Sequence, residues 1–276
     1  MLGAVFSFVG LALASRRLSQ DFAVIQILFF RVGPALPILV AAVWLTGGRA
    51  GWQGFRTASL RLHLIRNVVQ ICGQGAWIFA LAVLPFATVF AIEYSTPLWS
   101  TLISSVILRE HPNKWQKLGL MAGFMGVLII VRPGPEGISW GALVMIAGCV
   151  AFACNHTITR VLRRTDKPLS NPFWTCVIQI PVTLILTLAY GWNPVEWEHV
   201  PALLLLACSS LSAHFCAATA FGLAPIARVA PVDYLRLPII AAIGVVFYAE
   251  PIEPLAMVGA VIVIGAVLLT QRRVVP

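Results

Sequence analysis

Residues 85–110 read PFATVFAIEYSTPLWSTLISSVILRE, and residues 225–250 read PIARVAPVDYLRLPIIAAIGVVFYAE. Placed in register, 140 residues apart, the two stretches share Pro85/Pro225, Ala87/Ala227, Val89/Val229, Tyr94/Tyr234, Ile103/Ile243, Val106/Val246 and Glu110/Glu250. Glu93 also meets Asp233. The register continues without a gap through Gly119/Gly259, Val127/Val267 and Leu128/Leu268. Matches of Val and Leu are cheap between apolar segments. Matches of Pro, Tyr, Glu and Gly in one register are not, so the chain carries an internal repeat of about half its length.

Composition says what solvent the repeat folds in. Of 276 residues, 59% are hydrophobic and 11% charged, against about 25% charged in an ordinary soluble domain. Mean hydropathy is +0.91. A soluble globule has no way to hide that much apolar surface, so the sequence is that of an integral membrane protein. The apolar runs are continuous rather than alternating, which speaks against a β-barrel. A helix of ~20 apolar residues crosses a bilayer. Ten such spans are predicted, at about 2–15, 22–46, 62–83, 85–108, 113–131, 138–160, 171–191, 200–222, 225–248 and 254–271. The fold class expected is all-α, with ten transmembrane helices built as two five-helix repeats, residues 1–134 and 135–276. Five is odd, so the second repeat enters the membrane from the opposite side. Inverted repeats of this kind are the architecture of many secondary transporters. The stretch Met1–Ala14 reads as an uncleaved first span, short enough to raise an upstream start codon as a hypothesis for intact-mass measurement.

The net charge of +9 arises between the apolar runs and is read as topology control rather than nucleic-acid binding. With the N-terminus inside, thirteen basic residues fall in inner loops, among them Arg56, Arg61, Arg66, Arg109, Lys114, Lys117, Arg160, Arg163 and Arg164. Three, Arg16, Arg17 and Arg132, fall outside. Both termini are therefore expected in the cytoplasm, with the protein in the cell inner membrane. The six cysteines lie in apolar runs without ligand spacing and read as packing residues.

The stretch Leu84–Arg132 resembles an EamA-type member of the drug/metabolite transporter superfamily. The residues that carry the likeness are Pro97-Leu98-Trp99, Leu108-Arg109-Glu110, Gly119, Gly123, Gly126-Val127 and Arg132-Pro133-Gly134. The second copy repeats them as Leu237-Pro238, Ala249-Glu250-Pro251 and Gly259. The resemblance implies ten helices, a central cavity between the repeats, and movement of small organic metabolites.

Ionisable side chains inside a span are costly and face a bundle interior or a cavity. Glu93 and Asp233 each follow their span's opening proline by eight residues, or ~12 Å along a helix. They suit proton coupling or capture of a cationic group; an ion pair holding helices together is the alternative. Arg236, one turn after Asp233, suits a carboxylate or phosphate through a bidentate bond, or else a salt bridge to Asp233 or Glu93. Arg31 is read as a steering or helix-locking group, and Arg66 as mainly a topology residue. Asn67, Gln70 and Gln74 share one helical face that Trp77 continues. Gln70, Gln74, Trp77, Tyr94, His156, His214 and Tyr234 join Glu93, Asp233 and Arg236 as the candidate substrate-binding set. Glu110 and Glu250 are expected to cap the helix that follows each. Gly119 and Gly123 form a packing pattern, within the chain or against a second copy.

No GxxxxGK[ST], HExxH or GxSxG occurs, and no cofactor or metal is implied. The function expected is secondary active transport by alternating access of a zwitterionic or heteroaromatic metabolite: an amino acid, an adenosyl amino acid or a flavin-like compound. The partners are that solute and the lipid bilayer, with a coupling proton and a homodimer compatible with the same reading. A passive metabolite channel is the main alternative, and an intramembrane transferase using Glu93, Asp233 or His156 as base a further one.

Overall fold

The computed structural model describes residues 1–41, 44, 53–107, 109, 112–131, 139–167, 170–223, 232–251 and 254–270, without the side chains of 214, 218 and 221–223. Glu110, Arg132 and Arg228 lie outside the described residues, as does the side chain of His214. Among them the regular structure is entirely helical: α1 Leu2–Leu18, α2 Val24–Val32, α3 Leu60–Val83, α4 Phe86–Glu93, α5 Thr96–Ile107, α6 Lys114–Val131, α7 Trp140–Leu162, α8 Ser170–Tyr190, α9 Val200–Leu223, α10 Arg236–Tyr248 and α11 Pro254–Thr270. Among the described residues six segments are long and apolar enough to cross a membrane, the first of them Val24–Ala41. Large apolar side chains such as Met121 (71% exposed), Phe215 (73%) and Phe247 (77%) stand on the outside of the bundle, which fits lipid rather than water as the surrounding medium. The chain is a multi-pass membrane protein.

The helices pair in a definite pattern. The three most extensive pairings are α6 with α11, α3 with α7 and α1 with α9; α2 lies on α8 and α10 on α4. Small residues set the closest approach. A Cβ on Gly119 would meet Thr270 Cγ2 at 2.5 Å and the Ala266 carbonyl at 2.8 Å. A Cβ on Gly259 would meet Ile130 Cγ1 at 2.6 Å and the Gly126 carbonyl at 2.8 Å. Each contact is the other displaced by 140 residues. Gly123 makes room for Leu98 of α5, so this glycine pattern is used inside the chain.

Two ends are tied by polar contacts. Beyond the C-terminal end of α3, Glu250 pairs with Arg16 and accepts the Phe86 N–H at 2.8 Å. Arg16 donates to the Leu84 carbonyl at 3.2 Å and lies over the Phe86 ring at 4.3 Å. The expectation that Glu250 caps the next helix is corrected: it caps α4, across the bundle, because the end of α10 packs on the start of α4. Arg16 and Arg17, expected in a loop, form the last turn of α1. At the same end Gln26 donates to the Asn193 carbonyl at 2.8 Å, and Trp192 and Trp197 are exposed, as interfacial aromatic rings are. At the N-terminal end of α3, buried His63 meets Asp166 at 2.9 Å, and Trp174 donates to the Phe55 carbonyl at 3.0 Å.

Two helical runs break in mid-course. Pro97 has no N–H to give the Glu93 carbonyl; Thr96 Oγ1 donates there instead, at 2.6 Å. The chain steps through Tyr94-Ser95 with a Ser95 N–H to Ile92 carbonyl bond of 2.9 Å before α5 begins. Pro238 likewise cannot bond the Tyr234 carbonyl, which takes the Leu237 N–H at 3.2 Å, and Tyr234-Leu235 form the step before α10. The two breaks again lie 140 residues apart.

Candidate functional site

The carboxylates sit where the helices break. Glu93 is the last residue of α4, and Asp233 precedes the second break by one residue. Arg236 opens α10, one turn on, and reaches both. Its Nη2 donates to Asp233 Oδ2 at 2.7 Å, and its Nη1 stands 3.5 Å from Glu93 Oε1. The other Glu93 oxygen accepts the Trp77 indole N–H at 2.7 Å. Arg236 is also enclosed by rings, with its guanidinium carbon 4.6 Å from the centre of Phe8 and 5.4 Å from that of Phe90. Tyr94 and Tyr234, one from each break, meet edge to face at 5.0 Å, and the Tyr94 hydroxyl donates to the Asp233 carbonyl at 3.1 Å.

These groups border a cavity of about 380 Å³. Glu93, Tyr94, His156, Asp233, Tyr234 and Arg236, six of the ten candidate residues, line it. Arg236 is 7% exposed while Glu93 and Asp233 retain 19% and 23%, so the guanidinium lies behind the carboxylates. With both carboxylates ionised, the three carry one net negative charge. Asp233 Oδ1 and Arg236 Nε find no partner among the described residues. The cluster can accept a further cation or hydrogen-bond donor, with aromatic faces beside it.

Gln70 and Gln74 lie elsewhere, on a second cavity of about 510 Å³ that His156 also borders. Trp77 lines neither cavity; it is buried and holds Glu93 in place. Arg31 does not pair with Glu93. Its Nε donates to Ser210 Oγ at 3.2 Å, and it lines the second cavity. Arg66, read from sequence as a topology residue, is corrected: it is 2% exposed, donates to Gln70 Oε1 at 3.2 Å and to the Asn171 carbonyl at 3.3 Å, and lines the same cavity. Its signal in the sequence was the spacing of four and eight residues to Gln70 and Gln74, which places all three on one face. Asn67 of that face makes interhelical bonds instead, accepting from Gln179 Nε2 at 3.0 Å.

A helical bundle with membrane-length apolar helices and a charged, aromatic-walled interior cavity defines the class as a multi-pass membrane protein with room for a small molecule. The chain belongs to the EamA-like transporter family, whose model matches residues 1–132 and again residues 139–272; as a member it is a metabolite transporter. It is 28% identical over 251 residues to a riboflavin transporter of Rhizobium johnstonii, covering 87% of this chain and 82% of that one. It is 25% identical over 244 residues to an S-adenosylmethionine uptake transporter of Rickettsia prowazekii, covering 88% and 81%. A solved crystal structure, 17% identical, aligns with 99% of this chain and 96% of its own at a TM-score of 0.60, a likeness of fold.

Proposed function

We propose that this chain is a secondary active carrier of small organic metabolites that bear a positive centre. Its architecture is ten transmembrane helices in two inverted repeats, residues 1–134 and 135–276, in the cell inner membrane with both termini cytoplasmic. Alternating access would come from rocking one repeat against the other. The pairing pattern supports this: shifting by 140 residues exchanges the α3–α7 pair with the α1–α9 pair and maps α6–α11 onto itself. The double family match, with one copy per half, supports it too.

One observation carries the solute reading. Glu93 and Asp233 share a single cation, Arg236, at the edge of a 380 Å³ cavity, and Asp233 Oδ1 is unpaired. A buried carboxylate without full compensation is costly; a ligand ammonium or sulfonium, or a coupling proton, completes it. Tyr94 and Tyr234 offer a wall for a flat ring. A cationic adenosyl amino acid fits these features better than a neutral flavin, although relatives of both names match. Discontinuous helices at the site supply backbone groups where a solute sits.

The test is a thermal-shift screen of the detergent-purified protein with S-adenosylmethionine, riboflavin and the common amino acids. A ligand at ~100 times its dissociation constant adds about 2.7 kcal/mol of stability. A shift by the cationic compound that Asp233→Asn removes is expected. A shift by riboflavin alone, unchanged in Asp233→Asn, would reject the charge argument.

A further inference from the structure

The second cavity has the opposite electrostatic character from the first. Its charged lining residues are Arg31 and Arg66, and no carboxylate lines it among the described residues. Both guanidiniums are buried, at 9% and 2% exposure, and among the described residues each is met only by neutral oxygens. Arg31 has Ser210 Oγ; Arg66 has Gln70 Oε1, the Asn171 carbonyl and Thr175 Oγ1. Glu93, the carboxylate whose field reaches Arg31, is held by Arg236 and Trp77 in the other cavity. Two buried cations with no carboxylate in contact among the described residues are a standing cost, recovered when an anion enters.

Five side chains on this lining carry polar atoms that nothing among the described residues satisfies: Arg66 Nε and the amide oxygens of Gln74, Asn155, Asn171 and Gln179. The Gln179 oxygen cannot be explained by turning the amide over. Asn67 spends its N–H₂ on the His63 carbonyl at 2.8 Å and the Trp174 carbonyl at 3.5 Å. Its oxygen therefore faces Gln179 and requires the Gln179 N–H₂, which it receives at 3.0 Å. That leaves Gln179 Oε1 as a fixed, buried acceptor, a group that costs stability until a donor reaches it. The lining thus calls for an anionic oxygen pair and an N–H on one molecule.

We propose that this chamber is a second solute site, which binds the anionic end of an organic carboxylate bearing a neighbouring N–H group. Arg31 and Arg66 take the carboxylate, by the forked geometry that suits it, and Gln179 takes the N–H. His156 borders both cavities, so a zwitterion has a cation site on one side of that residue and an anion site on the other. The assignment goes beyond the cation-recognition reading of the first cavity. It is tested by binding of a carboxylate that has no cationic group, so either can fail alone.

The probe is hippurate, with its neutral methyl ester and its N-methyl derivative as controls, titrated calorimetrically into the detergent-purified full chain. Hippurate is expected to bind and the methyl ester not, with the N-methyl derivative weaker than hippurate. Arg66→Gln should weaken hippurate about tenfold or more, the scale of one lost charge-assisted hydrogen bond. If Arg66→Gln does not fold, Arg31→Gln, which severs one bond to Ser210, gives the same reading. Equal binding of acid and ester, or binding indifferent to the arginine variants, overturns the proposal. So does absence of hippurate binding. Phosphatidylglycerol micelles form the last arm: stabilisation by them without hippurate binding makes the chamber a lipid headgroup site, and the proposal falls.

Discussion

Gly259 and Gly265 lie on the same helix, six residues apart, yet alanine should act on them with opposite sign. Both substitutions remove the conformational entropy of glycine, worth about 1 kcal/mol in a helix interior. At Gly265 nothing stands within 4 Å of the added Cβ, so that gain is kept. At Gly259 the Cβ would sit 2.6 Å from Ile130 Cγ1, 2.8 Å from the Gly126 carbonyl and 3.2 Å from the Ile130 amide nitrogen. The first neighbour can rotate; the other two are backbone of α6. Relief requires α6 and α11 to separate along their most extensive contact, an overpacking cost of about 1–3 kcal/mol that outweighs the propensity gain. Since about 1 kcal/mol moves the melting point of a chain of this size by roughly 2–4 °C, Gly259→Ala should melt several degrees below Gly265→Ala in the same detergent. The assay is tryptophan-fluorescence thermal unfolding with gel filtration as a control for aggregation. Gly259→Ala melting at or above the native protein would refute the close α6–α11 packing, and with it the symmetric contact at Gly119.

Three further outcomes follow from named contacts. Trp77→Phe keeps the ring and removes the 2.7 Å bond to Glu93; the stranded carboxylate should cost about 1–3 kcal/mol of stability, read as a lower melting point with helicity unchanged by circular dichroism. Glu250→Ala strips Arg16 of its partner and α4 of its cap; a loss of about 3 kcal/mol or more is expected, and the double variant with Arg16→Ala should lose less than the sum of the singles. Burial works to raise the Asp166 carboxyl, but bonds from Thr57, His63, the Ala58 N–H and Thr165 prevail and hold it well below the usual carboxylate range. A depressed folded value means stability that is full above about pH 4–5 and drains as pH falls below the ordinary carboxylate value of about 3.9. Asp166→Asn should therefore be less stable than the native protein at pH 7, and the gap should shrink on acidification in a melting series.

The helical class, the membrane setting and the 140-residue register were readable because they rest on composition and on residues repeated in place. The prolines at 97 and 238 were visible as well, but their consequence was not drawn from them: each lies three or four residues past an acid–tyrosine pair and removes the hydrogen bond that would carry the helix through it. That is why the two carboxylates sit at helix ends rather than on a continuous face. The placing of eight of the ten candidate residues on two separate cavities was beyond the sequence, since Gln74 and Glu93 lie on spans whose relative rotation depends on packing of both halves. Arg66 was hidden by its position near a basic loop, where one arginine among several reads as topology. Pairings such as His63 with Asp166 join residues more than a hundred apart and leave no local pattern.

In the proposed mechanism a solute is carried, not leaked, by a cavity whose charge is set by Glu93, Asp233 and Arg236. Counterflow in proteoliposomes tests it most directly. Vesicles loaded with unlabelled S-adenosylmethionine are diluted into a trace of the labelled compound, with Asp233→Asn vesicles alongside. A carrier of this kind gives a transient accumulation of label above the outside concentration that saturates with the internal load and disappears in Asp233→Asn. Label that only equilibrates, linearly with concentration and equally in both preparations, would contradict it.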